Sequence, residues 1–218
     1  MKTEQKPVSF VEDCAVKLEN LADYTNDLKK IFKKYDVEGT WYAHASVGCL
    51  HVRPVLNMKL KQDVSKMRKI AEEASQLIKK YHGSFSGEHG DGIVRGAFAD
   101  KMFGQELVQH FREVKNAFDP NGVMNPNKIF DTPPLTENLR YGPNYKPIAP
   151  PVRLDWRAEG GFVAAVEKCN GVGACRKVNA GAMCPSYMAT REEKHTTRGR
   201  ANALRAAMSG GLSTNNFT

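Results

Sequence analysis

Apolar positions along the chain recur with two periods. Residues 8–15 (Val8-Ser9-Phe10-Val11-Glu12-Asp13-Cys14-Ala15) form a short apolar run that reads as a strand, and Leu18, Leu21, Leu28, Ile31, Phe32 and Tyr35 then recur at helical steps. Thr40–Ser46 and Leu50–Leu56 read as two strands around a turn at Val47-Gly48. From about Asp63 the spacing predicts a long amphipathic helix with Val64, Met67, Ile70, Ala71, Ala74, Leu77, Ile78 and Tyr81 on one face. Gly83 stands where a left-handed C-terminal cap belongs. Residues 84–96 are rich in glycine, a composition suited to backbone packed closely against a ligand. Another helix carries Leu107, Val108, Phe111, Val114 and Phe118 and stops at the turn sequence Asp119-Pro120-Asn121-Gly122.

Beyond this point the pattern changes. Six of the eleven prolines lie in residues 131–151, so 131–152 is expected to be an extended linker between a domain at 1–130 and a smaller one at 153–218. The second part should hold a short helical stretch ending at Cys169, a cysteine-rich loop, and a last helix capped by Thr197 and running through Met208. The ending, 213–218, completes no element. The fold class that follows is α+β: an antiparallel sheet with helices packed on one face, followed by a small, mainly helical module.

Composition adds constraints to this outline. No run of 18 or more apolar residues occurs, and the polar start Met1-Lys2-Thr3-Glu4-Gln5-Lys6-Pro7 lacks a signal-peptide core, so the expected location is cytoplasmic. The formal charge of +8 is concentrated beyond Cys169, in Arg176, Lys177, Arg191, Lys194, Arg198, Arg200 and Arg205. Such a stretch is either a solvated basic face or a partner for anions. Cys14 and Cys49 stand alone, whereas Cys169, Cys175 and Cys184 fall within sixteen residues, and clustered cysteines in a cytosolic chain point to metal rather than disulfides.

Candidate chemistry gathers at two places. His44 and His51 sit at the ends of two strands flanking a turn, which can bring both imidazoles to one point, and Glu88 and His89 follow in the glycine-rich loop. Two histidines and a carboxylate are a common ligand set for a divalent metal with open positions, although spacing alone is weak evidence and by itself favours ordinary histidines. Arg53 either grips a carboxylate bidentately or is a surface residue. Cys49 reads as a small buried hydrophobe.

Three motifs add a resemblance. His44-Ala45-Ser46-Val47-Gly48-Cys49-Leu50-His51 resembles the H-x-G-x-G-x-x-H strand–turn–strand of the FAD-linked oxidase family, which includes D-lactate, glycolate and D-2-hydroxyglutarate dehydrogenases. Ser86-Gly87-Glu88-His89-Gly90-Asp91-Gly92, with Arg95 just after, is similar to the family's signature loop, and Asp119-Pro120-Asn121-Gly122-Val123-Met124-Asn125-Pro126 to its closing motif. The resemblance covers roughly residues 8–130 and departs from the pattern at Ser46, in place of a glycine, and at Arg53, where relatives often have Asn. It implies that His44, His51 and Glu88 bind zinc or a similar divalent ion, that His89 is the catalytic base, and that Asn125 lies near the flavin of FAD.

Cys169-Asn170-Gly171-Val172-Gly173-Ala174-Cys175, with Cys184-Pro185, is similar to the ferredoxin pattern C-x2-C-x2-C-x3-C-P, with Val172 at one cysteine position and a longer last gap. The stretch to Arg205 resembles the ferredoxin-type module fused after the flavin domain in large bacterial dehydrogenases. The implied ligands of a 4Fe-4S cluster are Cys169, Cys175 and Cys184, and basic residues around an anionic cluster need no nucleic acid to account for them. The alternative is a zinc knuckle of the three cysteines with His195, on a nucleic-acid-binding protein.

The first reading expects a D-2-hydroxy acid as substrate, D-2-hydroxyglutarate or D-lactate, and an electron acceptor that is a quinone or an electron-transfer protein. It expects no nucleic acid and leaves room for a homo-oligomer and for peripheral membrane association through the acceptor. It also expects an FAD pyrophosphate-binding domain before residue 1 and further cluster ligands after residue 218, so that this stretch by itself turns over no substrate.

Overall fold

The computed structural model describes residues 4–179, 181 and 183–212; the ending 213–218 lies outside the described residues. The chain divides into two compact units, one running Thr3–Pro143 and the other formed mainly by Asn144–Thr218. Among the described residues no helix is long and apolar enough to cross a membrane.

The first unit is built on a small antiparallel sheet. Strands β1 (Lys6–Pro7) and β2 (Cys14–Ala15) pair with one edge of β4 (Cys49–Leu56), and β3 (Gly39–His44) pairs with the other. The apolar run 8–15 is therefore not one strand. Pro7 pairs with Val55 and Cys14 with Leu50, so six residues, 8–13, face four, 51–54. The two extra residues arch out as a wide bulge, which ends with Asp13 in a left-handed conformation at φ 80°. The segment looked like a strand because Phe10 and Val11 are buried, which an arch achieves as well as a strand does.

Helices α1 (Leu21–Lys34) and α2 (Lys61–Lys80) cover one face of this sheet. Val64, Met67, Ile70, Ala71, Ala74 and Ile78 of α2 are buried as their spacing predicts, in one cluster with Leu28 and Phe32 of α1 and with Leu50, Val52 and Leu56 of β4. Each large apolar side chain removed from water here contributes ~1.5–3 kcal/mol. Leu18 departs from the expected stripe: it lies in a single 3-10 turn before α1 and is exposed.

The end of α2 corrects the role expected of Gly83. The left-handed residue is His82, at φ 52°, while Gly83 donates its N–H to Ile78 O at 3.0 Å, closing a Schellman motif. Gly83 is required by crowding instead, since a Cβ there would lie 2.5 Å from Ala15 O and 2.6 Å from Ile78 Cδ1. This close approach lets Ser84 and Ala15 exchange backbone hydrogen bonds of 2.8 and 2.9 Å, which fixes where the glycine-rich loop begins.

Two further helices follow, the short α3 (Ala99–Phe103) and α4 (Gln105–Phe118). Helix α4 forms where its period predicts, but Val108 is its one buried residue, and Leu107, Val114 and Phe118 are exposed. The proline-rich stretch is divided: Leu135 and Leu139 pack against the core of the first unit, while residues from Asn144 belong to the second.

The second unit contains α5 (Phe162–Glu167), α6 (Pro185–Thr190) and α7 (Thr197–Met208). The cap of α7 is Thr196 rather than Thr197: its hydroxyl accepts the Gly199 N–H at 2.7 Å. Cys175, Cys184 and Tyr187 form a small buried cluster.

Candidate active site

Side chains along a strand alternate between faces. Leu50, Val52 and Leu56 of β4 enter the core, so Cys49, His51 and Arg53 point the other way. On β3, Trp41 packs on Phe32 with ring centroids 5.3 Å apart, and Tyr42 and His44 take the opposite face. His44 pairs with Cys49 and Tyr42 with His51, which makes the two histidines diagonal neighbours with centroids 5.0 Å apart. The hairpin thus brings His44 and His51 together through its register.

The loop 84–96 completes the cluster. Glu88 Oε1 lies 2.9 Å from His51 Nε2, 3.4 Å from His44 Nε2 and 3.5 Å from His89 Nε2. The His89 ring stacks on His51 with centroids 5.0 Å apart. His51 is buried, whereas His44, Glu88 and His89 are exposed.

Asp13 accounts for the shape of this loop. Its fully buried carboxylate accepts the backbone N–H of Glu88 at 3.0 Å, the N–H of His89 at 2.9 Å and the Ser86 hydroxyl at 2.8 Å. Burial opposes ionisation, but the His89 N–H, the Ser86 hydroxyl and the Glu88 N–H outweigh it and hold the Asp13 carboxyl below the usual carboxylate value. Gly87 donates to Asp13 O at 2.6 Å, and a Cβ on it would meet the Ala15 Cβ at 3.0 Å. The glycine therefore serves loop-to-bulge packing. Arg95, buried, ties the same parts from behind, donating to Glu12 O at 3.0 Å and to Gly90 O.

Whether these donors fit a divalent ion can be judged from their spacing. Ligand atoms each ~2.1 Å from one ion lie ~3.0–3.4 Å apart between a right angle and the tetrahedral angle. The contacts of Glu88 with His51 and His44, 2.9 and 3.4 Å, are on that scale, and imidazole with carboxylate is a zinc-type donor set. Asp13, His51, Glu88 and His89 also each place a ligand atom within 4.8 Å of the others. Asp13 is the poor member, because its lone pairs already hold the loop. Cys49 donates its thiol to the Asp13 carboxylate at 3.6 Å, and burial, with that carboxylate beside it, pushes the thiol up to about 11.

Arg53 stands two residues beyond His51 on the same face. Its Nε donates to Glu12 Oε2 at 2.5 Å, and its guanidinium lies 5.5 Å from the centre of the Tyr42 ring. Glu12, buried, also turns Oε1 toward His89 Nδ1 at 3.8 Å. Glu12 and Asp13 are the residues bracing this cluster that the histidine and glycine motifs do not reveal. Their signal is two consecutive acids inside an apolar run, since buried charges persist where they are paired. Asn125 is exposed, in a left-handed turn at φ 46°, just past the loop that the Asp119 carboxylate closes by accepting the Val123 and Met124 N–H groups, each at 2.9 Å.

In the second unit, the Tyr187 backbone N–H leads the interactions that hold the Cys184 thiol below its usual value, with the Thr197 N–H and hydroxyl and the Arg200 charge adding to it against burial. Arg198 donates to Gly171 O at 3.0 Å, in the loop between Cys169 and Cys175. His195 meets Cys184 through its carbonyl, which accepts from Sγ at 3.4 Å.

Fold and site together define an α+β domain whose sheet covers helices with one face and gathers three imidazoles around a carboxylate on the other. Residues 1–129 match the family described as FAD linked oxidases, C-terminal domain, and the chain belongs to that family. It is similar to a D-2-hydroxyglutarate dehydrogenase of Pseudomonas putida, 38% identical over 204 residues, covering 93% of this chain and 20% of that protein. A D-2-hydroxyglutarate dehydrogenase of Escherichia coli is 36% identical over 211 residues, with 94% and 20% covered. Glycolate oxidase subunit GlcD of Bacillus subtilis is 26% identical over 125 residues, 57% of this chain and 27% of that one. The chain thus spans about a fifth of the length of the first two relatives.

Proposed function

We propose that this chain is the substrate- and metal-binding part of an FAD-dependent dehydrogenase that oxidises a D-2-hydroxy acid, D-2-hydroxyglutarate, to the 2-oxo acid, with electrons leaving through an iron–sulfur cluster. The observation that carries the reading is the convergence of three histidine Nε2 atoms on Glu88 Oε1 within 2.9–3.5 Å.

Oxidation at C2 removes a hydride from carbon and a proton from the hydroxyl. A divalent ion held by His44, His51 and Glu88 would supply Lewis acidity at the substrate oxygens, and FAD the hydride acceptor. His51, locked in the strand pair, and Glu88, fixed by Asp13 through its backbone, hold their donor atoms in place for that ion. His89 stands beside them on the same loop, within reach of a hydroxyl bound there, and takes its proton. Arg53 offers a second carboxylate its guanidinium. Asn125 would lie near the flavin.

The substrate is supported by the names of the relatives that match most of the chain. The proteins of Pseudomonas putida and Escherichia coli named D-2-hydroxyglutarate dehydrogenase match over 93–94% of the chain, a span that runs through Cys169–Cys184. Cys169, Cys175 and Cys184 are the proposed cluster ligands. The lowered Cys184 thiol and Arg198 over the Cys169–Cys175 loop suit thiolates bound to iron.

Metal and acid-labile sulfide analysis of anaerobically purified protein, with a visible spectrum, tests both sites. The expected result is iron and sulfide together with about one further divalent ion, the latter lost in His51→Ala while iron remains. Zinc at the cysteines with no sulfide, or a divalent ion retained by His51→Ala, would overturn the respective assignment.

A further inference from the structure

We infer that Glu12 is a positioning residue that presets Arg53 as a clamp for the second carboxylate of the substrate, and so sets the preference of the site for dicarboxylic 2-hydroxy acids. The inference rests on the reading of the histidine cluster as the hydroxy-acid site.

A free arginine side chain samples many rotamers, and ordering it on binding costs roughly two- to tenfold in affinity. Arg53 is already ordered from two directions. Glu12 Oε2 takes its Nε at 2.5 Å, and the Tyr42 ring supports its face with the guanidinium carbon 5.5 Å from the centroid. The Nε contact occupies one edge of the guanidinium. Among the described residues the two Nη atoms have no hydrogen-bond partner, and the Arg53 side chain is 39% exposed, so the remaining fork is open to a ligand.

Position supplies the rest. Arg53 and His51 are successive residues on one face of β4, ~7 Å apart along the strand. A five-carbon diacid with its hydroxyl at the histidines can reach across that gap, and lactate, with one carboxylate, cannot. Glu12 is buried, with 11% of its side chain exposed, and a carboxylate in that setting is held by its partners. Its place next to the end of the bulge suits this role: a regular strand would alternate Glu12 and Asp13 to opposite faces, whereas the arch delivers one carboxylate to Arg53 and the other to the loop 86–89.

The test is the selectivity of the FAD- and metal-loaded enzyme with this sequence in its natural covalent context. The Kd values of 2-oxoglutarate and pyruvate, the two product acids, are measured by calorimetry, and KM and kcat are measured for D-2-hydroxyglutarate and D-lactate. Any common effect of Glu12 through His89 cancels in the dicarboxylate-to-monocarboxylate ratio. Glu12→Ala should reduce that ratio about tenfold, in Kd and KM more than in kcat. Glu12→Gln, which keeps an oxygen acceptor for Arg53 Nε, should retain it within about threefold. Arg53→Ala sets the floor. A ratio unchanged in Glu12→Ala, or altered as much by Glu12→Gln as by Glu12→Ala, overturns the inference. A ratio unchanged in Arg53→Ala overturns it as well and leaves the histidine cluster standing, because loss of the divalent ion in His51→Ala tests that cluster separately. Failure of the wild-type enzyme to bind either acid overturns both.

Discussion

Asp13 shows what one residue contributes to a site it does not line. Every oxygen lone pair within reach meets a donor, so exchanging one oxygen for an amide NH2 sets donor against donor. Asp13→Asn is expected to destabilise the first unit by ~1–3 kcal/mol and to weaken divalent-ion binding, while the far-ultraviolet dichroism stays native. Unchanged metal affinity, measured by competition with a chromophoric chelator, would show that the loop holds its shape without this carboxylate. The pH dependence carries a sign. The Asp13 carboxyl is held below its ordinary value, so its contribution to stability is full above about pH 4 and fades as pH falls through the lower folded value. Acid unfolding of Asp13→Asn should therefore lack part of the loss seen in the wild type between those two values, and superimposable acid curves would speak against the assignment.

At the scale of elements, the hairpin β3–β4 and the helix α2 were legible in the sequence because each has one wet and one dry face, and periodicity reports just that. The hairpin's register then places His44 and His51 on the same face with no further information. The bulge at 8–13 was not legible, since its apolar residues are buried as a strand's would be, and the displacement appears only in the pairing of Pro7 with Val55 against that of Cys14 with Leu50. Gly83 was legible as necessary but for the wrong reason, and the distinction has a measurable consequence. Gly83→Ala adds a methyl 2.5 Å from Ala15 O, so the start of the loop must shift away from β2. A loss of ~1–3 kcal/mol in urea unfolding is expected, accompanied by weaker metal binding; a neutral substitution would mean that the loop yields at little cost. The pairing of Glu88 with the histidines could be anticipated from the motifs, whereas the partnership of Glu12 with Arg53 could not, because 41 residues separate them along the chain.

At the scale of the whole chain, the two units differ in how much they bury. The first has a continuous core spanning α1, α2 and the sheet, whereas in the second the buried side chains among the described residues are few and two of them are cysteines. A unit so sparsely packed gains stability from whatever its cysteines bind. Amide exchange in 162–208 should be faster than in 64–78 when the protein is prepared without iron, and slow on anaerobic reconstitution with iron and sulfide. Exchange indifferent to reconstitution would remove the cysteines' assigned role. No such dependence is expected of the core around Ile70 and Ile78, which is closed by apolar contacts.

Consecutive residues of the bulge brace different parts of the active face: Asp13 the loop that carries Glu88 and His89, Glu12 the arginine. Neither can be retuned in isolation by a change in chain length. A single-residue insertion or deletion between Val8 and Cys14 would rotate both carboxylates at once, whereas point substitution at position 12 alters one and spares the other. If the proposed role of Arg53 holds, the arch makes this corner of the protein intolerant of indels yet open to stepwise drift in acid preference, a mutational asymmetry that a deep scan of residues 8–14 would display directly.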